Sequence, residues 1–186
     1  VGGLPVTQNA LGGHSKGAEL EVTAKFGGFA ANFGVSYLDA KFSNSACISD
    51  TNAPGTDVGC ATNLRFVPQD RRLPFSPRWT DNAGIQYTIP VGSDVEVTPR
   101  LQWSHLSQQW ATPFPSINTR VPGRDLFDAR LTVDVAKKYK LEGYINNLGN
   151  KKYIASQIQN SSSADGGMVM GAPRTYGVRL RIELGN

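Results

Sequence analysis

Apolar and polar residues alternate with a period of two along most of this chain, the mark of β-strands with one apolar and one polar face. From Lys16 to Phe26, Ala18, Leu20, Val22, Ala24 and Phe26 share one face, and Glu19, Glu21, Thr23 and Lys25 the other. After Gly27-Gly28, Phe29, Ala31, Phe33, Val35 and Tyr37 resume the apolar face opposite Asn32, Gly34 and Ser36. Ala83, Ile85, Tyr87 and Ile89 alternate with Thr80, Asn82, Gln86 and Thr88, and Val95, Val97, Leu101 and Trp103 with Glu96, Thr98, Arg100 and Gln102. Phe127, Ala129, Leu131, Val133 and Val135 oppose Asp128, Arg130, Thr132 and Asp134. Leu141, Gly143 and Ile145 oppose Glu142, Tyr144 and Asn146, and Tyr176, Val178, Leu180, Ile182 and Leu184 oppose Arg179, Arg181 and Glu183. The pattern therefore predicts an all-β chain, an antiparallel meander of about seven strands.

Alternation alone also suits a soluble β-sandwich, whose sheets bury one face and wet the other. The connections separate the two. They alternate between very short (Gly27-Gly28, Val91 to Ser93, Ala136 to Tyr139) and long (Ser43 to Pro77, Ala111 to Gly123, about Ser156 to Ala172). Short turns at one end and long loops at the other describe a transmembrane barrel. Aromatic residues near strand ends, among them Phe26, Tyr37, Trp79, Trp110 and Tyr176, suit the interfacial girdles of such a barrel. An odd strand number, and charges on the polar face of nearly every strand, suggest part of a wide barrel rather than a small closed one.

Composition agrees. No apolar run approaches the ~20 residues of a transmembrane helix, whereas a barrel strand needs only about 9–11. The 20 glycines and 11 prolines suit many turns. The net charge of +4 is spread among acidic residues, and the basic pairs Arg71-Arg72, Lys137-Lys138 and Lys151-Lys152 fall at strand ends or turns. No contiguous basic face of the kind nucleic acid needs is expected. Cys47 and Cys60 share one Gly/Ser/Asn/Asp-rich stretch without the spacing or histidine of a zinc site. A disulfide pinning a long loop in an oxidising compartment is expected, with two free thiols as the alternative. His14 and His105 show no metal-ligand spacing, and neither a phosphate loop nor a nucleophile elbow appears, so no enzyme, metal or cofactor is expected. The opening VGGLPVTQNALGG lacks the charged and apolar regions of a signal peptide, so the sequence reads as a processed chain or a fragment.

The run LEGYINNLGNKKYIAS (Leu141 to Ser156), then a polar loop and GAPRTYGVRLRIEL (Gly171 to Leu184), resembles the C-terminal end of TonB-dependent receptors. SKGAELEVTAKFGGFAANFGVSYLDAKF (Ser15 to Phe42) is similar to that family's Gly-x-Glu-x-Glu hairpin. LPFSPRWTDNAGIQY (Leu73 to Tyr87) is similar to its Pro-x-x-Pro strand entry. The resemblance implies that residues 1–186 are the C-terminal portion of a barrel of about 22 strands, with the plug domain and earlier strands lying outside this sequence. It further implies a location in the Gram-negative outer membrane, among lipid and lipopolysaccharide. The parent protein would bind a siderophore, cobalamin or glycan and import it with energy delivered by the inner-membrane TonB complex through the plug. Trp110, Phe114, Asn118, Arg120 and Arg124 are the ligand contacts expected in this piece, since aromatic and guanidinium groups suit anionic or sugar-like ligands, with anchoring of the barrel rim as the alternative for each. The rival readings are a small standalone outer-membrane barrel acting as anchor or adhesin, and a soluble β-sandwich binding module.

Overall fold

The computed structural model describes residues 12–50, 55–62, 64–158 and 167–183. Its centre is one antiparallel meander: β1 (Gly13–Phe26), β2 (Phe29–Phe42), β3 (Trp79–Tyr87), β4 (Val95–Leu106), β5 (Arg124–Val135), β6 (Tyr139–Asn146) and β7 (Thr175–Ile182), each paired with the next. A short continuation of β3, Ile89–Val91, extends its pairing with β4. The expected end of the last strand, Leu184, lies outside the described residues. Among the described residues no helix is long and apolar enough to cross a membrane, which leaves crossing by strands untouched.

Register makes the apolar face continuous. One row of directly opposed residues runs Ala24, Ala31, Ile85, Leu101, Ala129, Ile145, Tyr176 across all seven strands. Neighbouring rows match Trp103 with Phe127 and Val133 with both Val97 and Leu141. A slip of one residue would exchange the two faces of a strand, so this pattern fixes the pairing. The row starts two residues before the end of β1 at Phe26 and finishes six before the end of β7 at Ile182. That stagger along the sheet is the shear that closure into a barrel requires.

The apolar face is also uncovered. Leu20, Ile85, Leu101, Leu131, Leu141 and Leu180 are all exposed, as is most of the belt around them. The buried apolar residues, Ala40, Phe42, Val67, Ala111 and Val121, lie instead at the loop end. A sandwich buries its apolar sheet face, and water-facing monomers rarely show apolar patches beyond a few hundred Å². A belt in contact with lipid satisfies both observations.

The polar face is laced across strands. Arg100 donates to Gln86 Oε1 and to Asn32 Oδ1, both at 2.9 Å. It reaches Asn32 by lying flat over Gly84, where an added Cβ would come within 2.5 Å of its Nη2. Lys140 pairs with Asp134 at 3.0 Å and Arg179 with Glu142 at 3.4 Å. Asp128, Arg130 and Asp134 share the polar face of β5 and have different surroundings there. Asp128 accepts the Asn147 amide at 2.8 Å, Asp134 takes Lys140, and Arg130 stands directly opposite Arg100. Asp134 with Lys140 and Glu142 with Arg179 are directly opposed pairs, the closest side-chain approach between neighbouring strands.

The three tight ends keep different chemistry. Gly27 and Gly92 have positive φ (55° and 72°), as glycine allows without cost. The turn between β5 and β6 instead puts Ala136 and Lys137 at φ 52° and 55°, closed by the Lys138 amide on the Val135 carbonyl at 3.0 Å. Positive φ at both central positions of this Val135 to Lys138 turn gives a twist that matches the flanking strands. The loop end is more ordered than expected from sequence. Its long connections carry three small ribbons, Ala46–Ile48 with Arg65–Val67, Gln109–Trp110 with Arg120–Val121, and Ile154–Ile158 with Gly167–Met170. The middle connection thus leaves the wall before Ala111.

Candidate functional site

The three long loops are joined through the second one and together form a cap at the loop end of the wall. The Phe75 amide donates to the Trp110 carbonyl at 2.8 Å, joining the first loop to the second. Gln157 Nε2 donates to the Arg120 carbonyl at 3.0 Å, joining the third to the second. The guanidinium of Arg65 lies 5.6 Å from the centre of the Phe114 ring, a cation–π contact between the first two loops.

The first loop is braced by its own chemistry. Cys47 and Cys60 are joined by a disulfide, with their Cα atoms 5.6 Å apart. Asp57 accepts the Phe66 amide at 2.8 Å and Arg65 Nε at 3.0 Å. The Phe66 amide above all, and Arg65 after it, hold the Asp57 carboxyl below the usual carboxylate range, against the opposing pull of burial. Arg65 also pairs with the buried Asp50 at 3.7 Å. Arg65 is therefore held by carboxylates on one side while its plane faces Phe114.

Between the second and third loops lies a cavity of about 490 Å³ lined by Ile117, Asn118, Arg120, Pro122, Ile154, Gln157 and Met168. Its volume falls in the range of small-molecule sites, and an apolar lining with few polar groups is what such sites need. The short turn Ile117–Thr119 is fixed by Thr119, whose hydroxyl accepts the Ser116 amide at 2.9 Å and donates to the Phe114 carbonyl at 3.0 Å. Arg120 Nε donates to Gln108 Oε1 at 2.8 Å, which holds the side chain in place while its head stays exposed.

Of the five residues expected to contact ligand, the structure brings Asn118 and Arg120 into this cavity. Trp110 is the direct ribbon partner of Arg120. Phe114 is engaged by Arg65, and Arg124 lies at the start of β5 with its guanidinium 5.0 Å from the Tyr153 ring. Those two read as braces of the cap. Ile117, Pro122, Ile154, Gln157 and Met168 also line the cavity and are not among the expected contacts. Gln157 and Met168 come from a different loop, and neither carries a local signal. His105, isolated in sequence, meets Asp125 at 2.8 Å, while Trp103 Nε1 donates to the same carboxylate at 3.2 Å. No cluster of metal-ligating side chains occurs among the described residues.

A family model described as TonB dependent receptor-like, beta-barrel matches residues 1–148. Among solved structures, the ferric yersiniabactin uptake receptor FyuA from Yersinia pestis is similar in fold, with a TM-score of 0.70 at 18% identity over 93% of this chain and 24% of that one. The siderophore receptor PiuA from Acinetobacter baumannii is similar with a TM-score of 0.62 at 17% identity, over 90% of this chain and 21% of that one. The chain thus spans less than a quarter of the length of either structure.

Proposed function

The chain belongs to the TonB-dependent receptor β-barrel family, and from that premise we propose that it is the C-terminal wall segment of an outer-membrane importer. In this reading the parent protein captures a ferric siderophore at the loop cap and passes it inward with TonB-coupled energy. The observation that carries the reading is the cavity between the second and third loops, where Arg120 and Asn118 meet an apolar lining of Ile117, Ile154 and Met168. A guanidinium is always charged and offers several donors, which suits an anionic chelate, while the apolar wall suits its organic scaffold. Two receptors of this fold are named for siderophores, one of them for ferric yersiniabactin, and this favours a siderophore over cobalamin or a glycan.

Within the segment the roles divide. The apolar belt faces outer-membrane lipid, and the polar face lines the lumen. The cap supplies part of the ligand surface, and the rest belongs to strands and a plug outside these residues. Nothing in this division asks the chain to make or break a bond, in keeping with a family of receptors rather than enzymes.

The test uses the full-length receptor in detergent, titrated with ferric yersiniabactin, cobalamin and a maltooligosaccharide while tryptophan fluorescence is followed. Arg120→Ala is expected to weaken binding of a ferric siderophore about tenfold or more, since a hydrogen bond to a charged group contributes about 1.5–3 kcal/mol. Binding of cobalamin or the glycan instead, or an unchanged affinity in Arg120→Ala, would remove the siderophore reading of this cavity.

A further inference from the structure

Arg65 is not among the residues that line the cavity, yet its guanidinium reaches the loop that carries Asn118 and Arg120. It stands on a braced part of the first loop. The ribbon pairs Ile48 with Arg65 and Cys47 with Phe66, which sets the disulfide beside it, and Val67 at the end of the ribbon is fully buried. Asp57, three residues before Cys60, accepts Arg65 Nε at 3.0 Å and the Phe66 amide at 2.8 Å. The buried Asp50 takes Nη1 at 3.7 Å. Carboxylates engage the edge of a guanidinium and leave its flat face for an aromatic ring. Here the ring is that of Phe114, its centre 5.6 Å from Cζ.

The loop that bears this ring needs an outside hold. Its ribbon, Gln109–Trp110 with Arg120–Val121, is two residues a side, and a hairpin that short is not stable by itself. From Phe114 the path to the cavity is short. The Phe114 carbonyl accepts the Thr119 hydroxyl at 3.0 Å and the Thr112 hydroxyl at 3.1 Å. The Thr119 carbonyl accepts the Ala111 amide at 2.8 Å, and Thr112 and Thr119 are both buried. Asn118 and Arg120 flank Thr119 in sequence, so the placing of Thr119 carries both side chains with it.

We propose that Arg65 is a positioning residue for the cavity: it sets the Phe114 ring, and through Phe114 and Thr119 it sets the turn that presents Asn118 and Arg120 to the ligand. Holding a loop in its bound shape beforehand lowers the ordering cost of binding, so the gain is read as affinity. An exposed cation–π contact corresponds to a change in affinity of about fivefold. The proposal rests on the ligand-cavity reading above.

The experiment titrates the full-length receptor in mild detergent with ferric yersiniabactin, and follows amide exchange in the unliganded protein by mass spectrometry. Arg65→Gln and Phe114→Leu should each weaken binding about fivefold, whereas Phe114→Tyr, which keeps the ring, should bind like the natural protein. In an Arg120→Ala background Arg65→Gln should cost less than about twofold, because the group it positions is gone. Without ligand, segment 111–119, whose Ala111 and Ser116 amides donate to Thr119, should exchange at least about fivefold faster in Arg65→Gln than in the natural protein. Phe114→Leu leaves Arg65 and its carboxylates in place, so it tests the contact even where Arg65→Gln loosens the first loop. Full affinity in Phe114→Leu, an equal loss with and without Arg120, or unchanged exchange would overturn the proposal. A natural receptor that does not bind the chelate, or an Arg120→Ala variant that binds it fully, would instead sink the cavity reading, and the exchange rates alone would then judge whether Arg65 places the loop.

Discussion

Replacing Leu131 with arginine is expected to destabilise the barrel by about 2–4 kcal/mol, the cost of a cation near the middle of a lipid-facing strand. Leu131 lies on β5 between Pro99 and Gly143 on the neighbouring strands, with its side chain exposed on the apolar face. An arginine there has lipid around it, and the nearest polar groups belong to the other side of the sheet. Thr132→Arg, one residue along, should cost little. Thr132 faces the polar side opposite Glu142, so the new guanidinium gains a carboxylate in a hydrated setting. Urea titration of the two full-length variants in detergent micelles, followed by tryptophan fluorescence, gives the difference. Similar losses for both variants would contradict the assignment of faces.

Asn147→Ala is expected to cost about 3 kcal/mol, because three backbone groups lose their side-chain partner at about 1 kcal/mol each. Asn147 is buried at the tip of β6, where its Nδ2 donates to the Lys151 carbonyl at 2.9 Å and the Ala172 carbonyl at 3.2 Å. Its Oδ1 accepts the Lys151 amide. One side chain thus ties the end of β6 to the entry of β7. Its φ of 50° adds a smaller penalty for alanine, since asparagine tolerates the left-handed region better. Asn147→Gly should recover that backbone part and leave the hydrogen-bond part lost, so its stability should fall between alanine and asparagine in the same titration. If glycine restores full stability, the side-chain bonds contribute nothing.

The wall was legible in the sequence and the cap was not, for a physical reason. Each long strand carries its own evidence, because a lipid-facing strand must alternate along its length and its partners must match it residue by residue. The ribbon Ala46–Ile48 with Arg65–Val67 is only three residues a side and is held by pairing across a loop, so no local period announces it. The same holds for the cavity. Asn118 and Arg120 stand out as polar residues in a Pro-rich loop, whereas Gln157 and Met168 join them only because two loops meet in space. Gly171 is a middle case. The sequence suggests a glycine ending the loop; the structure adds that the Tyr153 ring lies where its Cβ would be, about 2.0 Å away. Local turn chemistry can be read from one segment, but a close approach from another segment cannot.

The central claim is that this sheet has a lipid face and a water face, and cysteine accessibility along β5 tests it most directly. Single cysteines at Phe127, Ala129, Leu131 and Val133, and at Asp128, Arg130, Thr132 and Asp134, would be spin-labelled in the full-length receptor in liposomes. Oxygen, which partitions into lipid, should relax the first set, and a water-soluble nickel chelate the second, alternating with a period of two. Apolar positions shielded from both reagents would mean that the face packs against protein, and would contradict the account.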